Sequence, residues 1–394
     1  MQTLRLVEAL IENGHHCVTV CYFEYDTKIV QLFEQAGSKV VCLSDNGQRP
    51  TSQREVFFSL RKGLKEVVCE YRPKVAMVQY MAPGAMPVII LRMLGIKNII
   101  AMLHTDADIY RNLWLVRFLQ RYVTRLFTCV TETAERNFFG SSHIVGASLQ
   151  VQGYKKNNHC TLPNCLPRGF QFQVSDSKFD SLHLINIHRC SQPSVQNSQF
   201  IVHNSQFIIG FVARLEEIKG ADLVIPAFAK VIESQLDIKL LIVGDGKLRK
   251  KMSQQQKEFN IPEEKIEWAG MVDYSQLPDY YKCMTLVWVP SRSEGFGLSA
   301  IEAMGHGCPV VAADVGGLKE IVHDGKDGLH FEPQNCDDLA TKTIQLLSGP
   351  QILQSMSNQA ISTARQYSFD TYKNRVRTII ASLTTNHYPQ NWAE

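Results

Sequence analysis

The stretch LVWVPSRSEGFGLSAIEA, residues Leu286–Ala303, joins an apolar strand pattern to a helix pattern through a turn that contains two glycines. Gly295 and Gly297 permit a tight turn and let the backbone approach a ligand closely. The N–H groups of Phe296, Gly297 and Leu298 then lie where a helix begins and lack an acceptor within that helix. A strand followed by such a turn predicts an anion site suited to a phosphate.

Strand patterns alternate with helix patterns on both sides of this stretch. The second half contains FIIGFVARL, IKLLIVGDG, KIEWAG, PVVAADVGG and DGLHFEP, and the first half contains HHCVTVCYF, KVVCL, VAMVQY, NIIAMLH and LFTCVTE. Such alternation predicts parallel, doubly wound sheets. We therefore expect an α/β protein of two Rossmann-like domains that face a cleft, with ligands at the carboxyl ends of the strands.

The length of 394 residues also indicates two domains, because one ordinary core does not extend so far. Between the halves lies a segment rich in Ser, Gln and Asn that ends in the tandem repeat NSQFIVH–NSQFIIG, which indicates a loose insertion. We expect the first domain over residues 1–167, a linker or insertion over 168–206, the second domain over 207–370, and a helix that crosses back, with a tail, over 371–394.

Composition narrows the class of protein. The net charge of +3 gives no argument for a nucleic-acid partner. The 11 cysteines form no C-x-x-C pair, which is typical of a reducing cytosol. The opening residues lack a signal-peptide pattern, and charged residues interrupt the longest apolar run. These features predict a cytoplasmic protein.

Charged side chains surround the glycine turn in the sequence. Glu294 precedes the turn, and Glu302 falls about one turn into the following helix. A carboxylate that accepts two hydroxyl groups suits a ribose or a sugar ring, although Glu302 can instead complement the helix dipole. Arg214 follows a strand, and Lys219 comes five residues later, before Gly220. The two cations can clamp a diphosphate, and they can equally be surface charges.

These motifs occur in a fixed order. R-L-x-x-x-K-G begins at Arg214, V-G-D-G follows, and P-S-R-S-E-G-F-G-L-S-A-I-E-A supplies the pair E-x7-E. In this order the chain resembles the retaining glycosyltransferases of family 4, which have the GT-B fold. The resemblance covers nearly all of the second half and, more weakly, the first. It implies transfer of a sugar from a nucleotide-diphosphate sugar to a glycan or lipid-linked glycan, in polysaccharide or cell-envelope biosynthesis.

The resemblance also implies roles for individual residues. Arg214 and Lys219 would bind the donor diphosphate, and Glu302 would hold the nucleotide ribose. Glu294, with the backbone of Gly295, Phe296, Gly297 and Leu298, would hold the donor sugar and phosphate. Gly270, Met271 and Val272 would lie near the base. The first half would carry the acceptor side, with His104 near the reacting sugar, although a histidine at a strand end can also cap its own surroundings.

The resemblance implies front-side attack with retention of configuration and no metal. Asp106 and Asp108 form a D-x-D pattern, which binds Mg²⁺ or Mn²⁺ in a different glycosyltransferase fold. We favour helix capping for these two acids, because Arg214 and Lys219 already supply positive charge for a diphosphate. No cofactor is therefore expected.

The start of the chain departs from the family pattern. The family usually opens with a strand and a glycine-rich loop, whereas this chain opens inside the following helix, MQTLRLVEALIENG. The missing strand would lie centrally in the first sheet. The alternative function is therefore a nucleotide-sugar-binding protein without turnover. A third interpretation, an epimerase of related fold, fits the two charged motifs less well.

The helix pattern RNLWLVRFLQRYVTRLF repeats arginine every four residues, at Arg117, Arg121 and Arg125, beside apolar side chains. Because the family often acts on lipid-linked acceptors, this helix can dock peripherally on the inner membrane face. A helix that packs on the core and exposes a basic face to solvent is the favoured interpretation.

Overall fold

The computed structural model describes residues 1–23, 25–44, 48–79, 85–104, 113–146, 158–173 and 206–384. The described chain divides into two compact units. Unit 1 comprises Met1–Gly169 and Ser368–Glu394, and unit 2 comprises Phe170–Tyr367. The unit boundaries lie close to residues 167 and 370, where the sequence analysis places domain ends. The tandem repeat before Gln206 and the D-x-D acids at 106 and 108 lie outside the described residues.

The strands are short and run in parallel within three sheets. Six strands belong to unit 1: β1 Val18–Cys21, β2 Lys39–Cys42, β3 Ala76–Gln79, β4 Ile99–Leu103, β5 Leu126–Cys129 and β6 His159–Thr161. Six belong to unit 2: β7 Phe207–Val212, β8 Ile238–Val243, β9 Ile266–Gly270, β10 Leu286–Val289, β11 Val310–Ala313 and β12 Gly328–Phe331. The sequence predicts all of these strands except β6.

Helices connect the strands, as parallel pairing requires. The helices before β7 are α1 Gln2–Glu12, α2 Thr27–Gln35, α3 Gln53–Tyr71, α4 Met86–Met93, α5 Leu113–Tyr122 and α6 Glu132–Phe139. The later helices are α7 Ala221–Ile232, α8 Arg249–Glu258, α9 Leu277–Cys283, α10 Leu298–Gly305, α11 Leu318–Ile321, α12 Cys336–Leu347, α13 Pro350–Arg365 and α14 Phe369–Thr384. The last helix, α14, belongs to unit 1 and packs against α1.

Local sequence explains where helices begin. Ser52 caps α3, because its hydroxyl accepts a hydrogen bond of 3.2 Å from the backbone N–H of Glu55. Asn335 caps α12 in the same way, with bonds from the N–H groups of Asp337 and Asp338. The strands are mostly apolar and buried on both faces, and every side chain of β4 and β10 is buried. Continuous apolar runs of this kind are typical of parallel sheets covered by helices.

Unit 2 contains one six-stranded sheet, in the order β12–β11–β10–β7–β8–β9. The chain therefore adds β8 and β9 on one side of β7 and then returns to place β10 on the other side. Because all pairs are parallel, every strand ends at the same edge of the sheet. This reversal between β7 and β10 is the position where open α/β sheets bind ligands.

Unit 1 contains two separately hydrogen-bonded sheets, one of β1 and β2 and one in the order β3–β4–β5–β6. Among the described residues, no hydrogen-bonded strand pair joins them.

The outward face of α5 carries basic and aromatic side chains together: Arg117 and Arg121 are exposed there, as the favoured interpretation of the sequence expects, and Val116 and Leu119 are buried. Trp114 and Tyr122 are 70% and 63% exposed, and Phe118 is stacked on Trp114 at 5.5 Å between ring centres. Arg117 is not simply solvated, because its Nε donates a hydrogen bond of 2.8 Å to the carbonyl of Phe138. The exposed face therefore combines aromatic rings with arginines, and Arg121 lies over the ring of Tyr122. Within the described residues, no helix combines the length and apolar character needed to cross a bilayer.

Candidate functional site

The site predicted from the sequence centres on an ion pair between the loops that follow β7 and β10. The Nζ of Lys219 lies 2.6 Å from Oε2 of Glu294, although 75 residues separate them in the chain. Ser291 donates a weaker hydrogen bond of 3.3 Å to the same oxygen. The side chains of Lys219 and Glu294 are 25% and 14% exposed, so the pair is largely withdrawn from water. The structure thus brings together a cation and an acid that the sequence places in separate motifs.

Arg292 ties the two loops together beside this pair. Its guanidinium donates two hydrogen bonds of 2.7 Å to the two carboxylate oxygens of Asp222, in the first turn of α7. Its backbone N–H donates at 2.9 Å to the carbonyl of Ile218, and its side chain also donates to the carbonyl of Glu217. The hydrogen bonds from Arg292 lower the pKa of Asp222, against an opposing effect of burial. This fork holds the Lys219 loop against the end of β10.

Glycines allow the loops to approach closely. Gly220 has φ +68°, and a Cβ there would lie 1.9 Å from the carbonyl oxygen of Pro290. On the other side, a Cβ at Gly316, with φ +44°, would lie 2.3 Å from the carbonyl oxygen of Glu294. The N–H of Gly317 donates to that same carbonyl at 2.8 Å. The loops after β7, β10 and β11 therefore meet around Glu294, and side chains at these glycines would force them apart.

Arg214 lies on the same loop as Lys219 and has a different environment. Its side chain is 66% exposed and pairs with Glu216 at 2.9 Å. Beside it, Leu215 is hydrogen bonded to the glycine turn after β8, with its N–H donating to Asp245 at 3.0 Å. Gly244 in that turn fits because a Cβ there would lie 2.0 Å from the carbonyl oxygen of Ala213. Arg214 is thus an exposed cation on a fixed backbone.

Glu302 lies inside the unit, only 7% exposed, on α10. The hydroxyl of Tyr274 donates to one of its oxygens at 2.6 Å, and that of Tyr281 donates to the other at 3.4 Å. Burial, with the nearby Glu302 carboxylate, raises the pKa of Tyr281 well above its usual value. The hydroxyls of Tyr274 and Tyr281 therefore orient this carboxylate. The sequence motif around Glu302 does not indicate either contact.

The glycine turn places α10 as the sequence predicts. Gly297 has φ +106° and no side chain caps the start of the helix at Leu298. Phe296 is buried, with its ring edge-on to Tyr367 at 5.6 Å between ring centres. It therefore anchors the turn and leaves Gly295 and Gly297 to present backbone. A second turn follows β9, where Gly270 has φ +69°, Met271 is 80% exposed and Val272 is half-buried.

His104 lies in unit 1, directly after β4. Its Nε2 lies 2.8 Å from the amide oxygen of Gln79, at the end of the neighbouring strand β3. Burial, and then the positive N-terminal ammonium, lowers the pKa of His104 to about 4. The imidazole is therefore neutral near pH 7 and is oriented by an amide side chain.

Sequence reasoning missed the groups that position the predicted ones. Asp222 and Arg292 carry no motif of their own, although Arg292 lies inside the quoted stretch PSRSEG. Tyr274 lies in the segment between Gly270 and α9, and its hydroxyl reaches Glu302 only because the chain folds back over α10. Pairings of this kind depend on residues far apart in sequence, so periodicity does not reveal them.

Known glycosyltransferases are similar to this chain in sequence. The family model described as glycosyl transferases group 1 matches residues 196–365. An uncharacterized glycosyltransferase of Methanocaldococcus jannaschii is 30% identical over 189 residues, 48% of this chain and 52% of that protein. A D-inositol 3-phosphate glycosyltransferase of Segniliparus rotundus is 31% identical over 170 residues, 42% of this chain and 38% of that protein. The chain spans about half the length of these curated relatives or less.

Solved structures match over almost the whole chain. A glycosyltransferase from Rickettsia africae has a TM-score of 0.74 at 16% identity, covering 98% of this chain and 95% of that one. Anabaena HepE, solved in complex with UDP and glucose, has a TM-score of 0.69 at 18% identity and covers 97% and 96%. At these identities the likeness concerns the fold, and it confirms the prediction of an α/β protein with two Rossmann-like units of the GT-B class.

Proposed function

Because residues 196–365 match the family model of glycosyl transferases group 1, we propose that this protein transfers a sugar from a nucleoside diphosphate sugar to a glycan or lipid-linked glycan. The observation that carries the proposal is the Lys219–Glu294 pair at 2.6 Å, at the carboxyl edge of the sheet where strand order reverses. Surface pairs are rarely so withdrawn from water, and ligands of open α/β sheets bind at this edge.

The residues of unit 2 supply the positive charge that a departing diphosphate needs. Negative charge builds on the leaving diphosphate as the glycosidic bond breaks, and cations held in place lower the barrier. Lys219 is held by Glu294, which also accepts a hydrogen bond from Ser291, while exposed Arg214 lies on the same loop and can turn toward the ligand. The N–H groups at the start of α10, behind Gly297, add a second source of positive potential.

The two acids have separate roles in this proposal. Glu294 orients the donor sugar and, through its bond to Lys219, the phosphate beside it. Glu302 orients the ribose, with Tyr274 sharing its carboxylate. Gly270, Met271 and Val272 lie against the base. His104, neutral near pH 7, orients an acceptor or donor hydroxyl.

The proposed stereochemistry is taken from the family resemblance, and the first donor to test is taken from a solved neighbour. We propose retention through front-side attack, in which the departing phosphate oxygen takes the proton of the acceptor hydroxyl. No metal is required, because Arg214, Lys219 and helix N–H groups supply the positive charge. UDP is the first nucleotide to test, since HepE was solved with UDP and glucose.

The acceptor is placed at a membrane surface in this proposal. The exposed ring stripe of Trp114, Phe118 and Tyr122 offers an apolar contact, and Arg121 beside Tyr122 offers a positive charge for anionic lipid head groups. A cytoplasmic protein docked in this way reaches lipid-linked glycans at the inner face of the membrane. The product then enters polysaccharide or cell-envelope biosynthesis.

A thermal-shift panel of nucleoside diphosphates and nucleotide sugars tests the donor first. A ligand that binds only the native state raises the melting temperature, and wild type should respond to one nucleotide series. The responding donor is then incubated with lipid-linked and soluble glycan acceptors, and released nucleoside diphosphate and product anomer are measured. A stabilising donor with an α-linked product from an α-linked donor supports the proposal.

Binding without turnover is the alternative outcome. A nucleotide sugar that stabilises the protein, with no product from any acceptor and no released diphosphate, would assign a binding protein instead. The absence of stabilisation by every nucleotide would overturn both functions.

A further inference from the structure

A second cluster of chemically active side chains lies in unit 1, separate from the residues assigned above. Glu135 on α6, His143 in the following loop and His159 on β6 place one ligand atom each within 4.8 Å of one another. Among the residues that the structure describes, they form the group of three side chains suited to a metal ion. From this geometry we propose that they bind one Zn²⁺ ion.

The first argument is burial of the carboxylate. Glu135 is completely buried, and a buried carboxylate requires hydrogen bonds or positive charge to offset its lost hydration. One oxygen, Oε2, accepts from the backbone N–H of His143 at 3.0 Å and from the hydroxyl of Thr161. These two donors fix the orientation of the carboxylate, as partners of metal-binding carboxylates do.

The second argument is convergence on the other oxygen. The Nδ1 atom of His159 lies 2.6 Å from Oε1 of Glu135, and the Nδ1 atom of His143 lies 3.6 Å from it. Ligand atoms of a tetrahedral zinc site lie about 3.4 Å apart, given metal–ligand distances of about 2.1 Å. Admitting the ion therefore requires the Nδ1 atom of His159 to move away from Oε1 of Glu135 by about 0.8 Å.

The third argument is access and ligand type. Two imidazoles and one carboxylate suit zinc, whereas Ca²⁺ and Mg²⁺ prefer oxygen ligands alone. His143 keeps 29% of its side chain exposed, while His159 keeps 6%. Water can therefore reach the fourth coordination position from the His143 side. The ion would join α6, the loop after it and β6.

The test is titration of the metal-free full chain with Zn²⁺, followed by calorimetry and melting temperature. We expect one equivalent to bind and to raise the melting temperature. His143→Ala and His159→Asn should each weaken that binding tenfold or more, and Thr161→Val about tenfold. Ca²⁺ and Mg²⁺ should produce neither effect.

His323→Ala is the matched control, because His323 also holds a buried carboxylate, that of Asp327, at 2.6 Å. That pair belongs to no group of three metal-ligand side chains within the described chain. His323→Ala should therefore leave Zn²⁺ affinity unchanged. Loss of affinity only in the unit 1 variants supports the site.

Co²⁺ keeps the test decisive if the buried His159 variant fails to fold. Wild type loaded with one equivalent should show visible bands of tetrahedral nitrogen and oxygen coordination, without the near-ultraviolet charge-transfer band of thiolate ligands. A thiolate band, undiminished binding in His143→Ala, or no Zn²⁺ binding at micromolar concentration would overturn the proposal. None of these readouts depends on transferase activity, so failure here leaves the proposed function untouched.

Discussion

Lys219→Met is the perturbation that separates a structural ion pair from a diphosphate-binding one. Methionine keeps the unbranched stem of lysine and removes only the charge and its three donors. Glu294 then loses the donor at 2.6 Å and keeps the hydroxyl of Ser291 at 3.3 Å. The variant should therefore fold while leaving the proposed phosphate position without its buried cation.

The size of each effect follows from burial. With side chains 25% and 14% exposed, the pair lies between surface pairs and fully buried ones. Surface pairs are worth up to about 1 kcal/mol, and breaking a buried pair costs about 3–5 kcal/mol. We expect unfolding free energy to fall by about 1.5–3 kcal/mol, the usual range for a hydrogen bond to a charged group. The same range for the lost phosphate contact corresponds to roughly tenfold to hundredfold weaker UDP binding.

The assay is UDP affinity by calorimetry, with turnover measured on the donor found in the thermal-shift panel. Turnover should fall at least as much as affinity, because the contact strengthens as charge builds on the leaving group. Lys265→Met is the control, since Lys265 is similarly exposed at 28% and pairs with Asp237 at 3.3 Å. Both residues lie where β8 and β9 begin, at the opposite edge of the sheet, so UDP affinity should not change.

A double-mutant comparison with Glu294→Gln shows which partner Lys219 serves. If Lys219 binds diphosphate, Lys219→Met weakens UDP binding in both the wild-type and the Glu294→Gln background. If Lys219 only neutralises Glu294, its removal has no further effect once the acid is an amide. A lower melting temperature with unchanged UDP affinity would refute the role of Lys219 in donor binding.

Three further outcomes are expected. Gly220→Ala should destabilise the protein more than Gly325→Ala. Both glycines have positive φ, which costs a side chain about 1–2 kcal/mol, but only the Cβ added at position 220 would meet a neighbour, the carbonyl of Pro290. Equal melting temperatures of the two variants would contradict this expectation. The His104 pKa, lowered by burial to about 4 from 6.5, makes its contribution to stability present above about pH 6.5 and lost as pH falls through about 4. His104→Asn should therefore make the melting temperature decline less steeply between about pH 6.5 and pH 4. An unchanged slope would disprove that His104 is buried as a neutral imidazole. Trp114→Ser should reduce sedimentation with anionic vesicles at low salt, while equal binding of wild type to neutral and anionic vesicles would argue against electrostatic docking.

Much of the fold could be predicted from the sequence because parallel strands buried on both faces are continuous apolar runs. LVWV in β10 and FIIGFV in β7 are of this kind, and the glycine turns mark where such strands end. The three-residue strand β6 escaped prediction, because HCT is too short for a period and contains a histidine. Its histidine is buried only through tertiary contact with Glu135.

The charged residues of the site could be predicted as a set, and their pairing could not. Arg214 and Lys219 stand out because they follow a strand and precede Gly220, and Glu294 and Glu302 because they flank the turn of Gly295 and Gly297. Which cation faces which acid depends on β7 and β10 being neighbours, and strand order is not written in local sequence. The same reason hides the bond from Arg292 to Asp222, which are 70 residues apart.

The central position of β7 has a consequence for synthesis of the chain. β8 pairs with one side of β7 soon after it emerges from the ribosome, whereas β10, which covers the other side, is made only after β8 and β9. Until then β7 presents an open edge to other nascent chains. Capture of a nucleotide by Lys219 and Glu294 together would therefore report that β7 is paired on both sides, and abundant nucleotide would favour chains with this edge covered over aggregation-prone precursors.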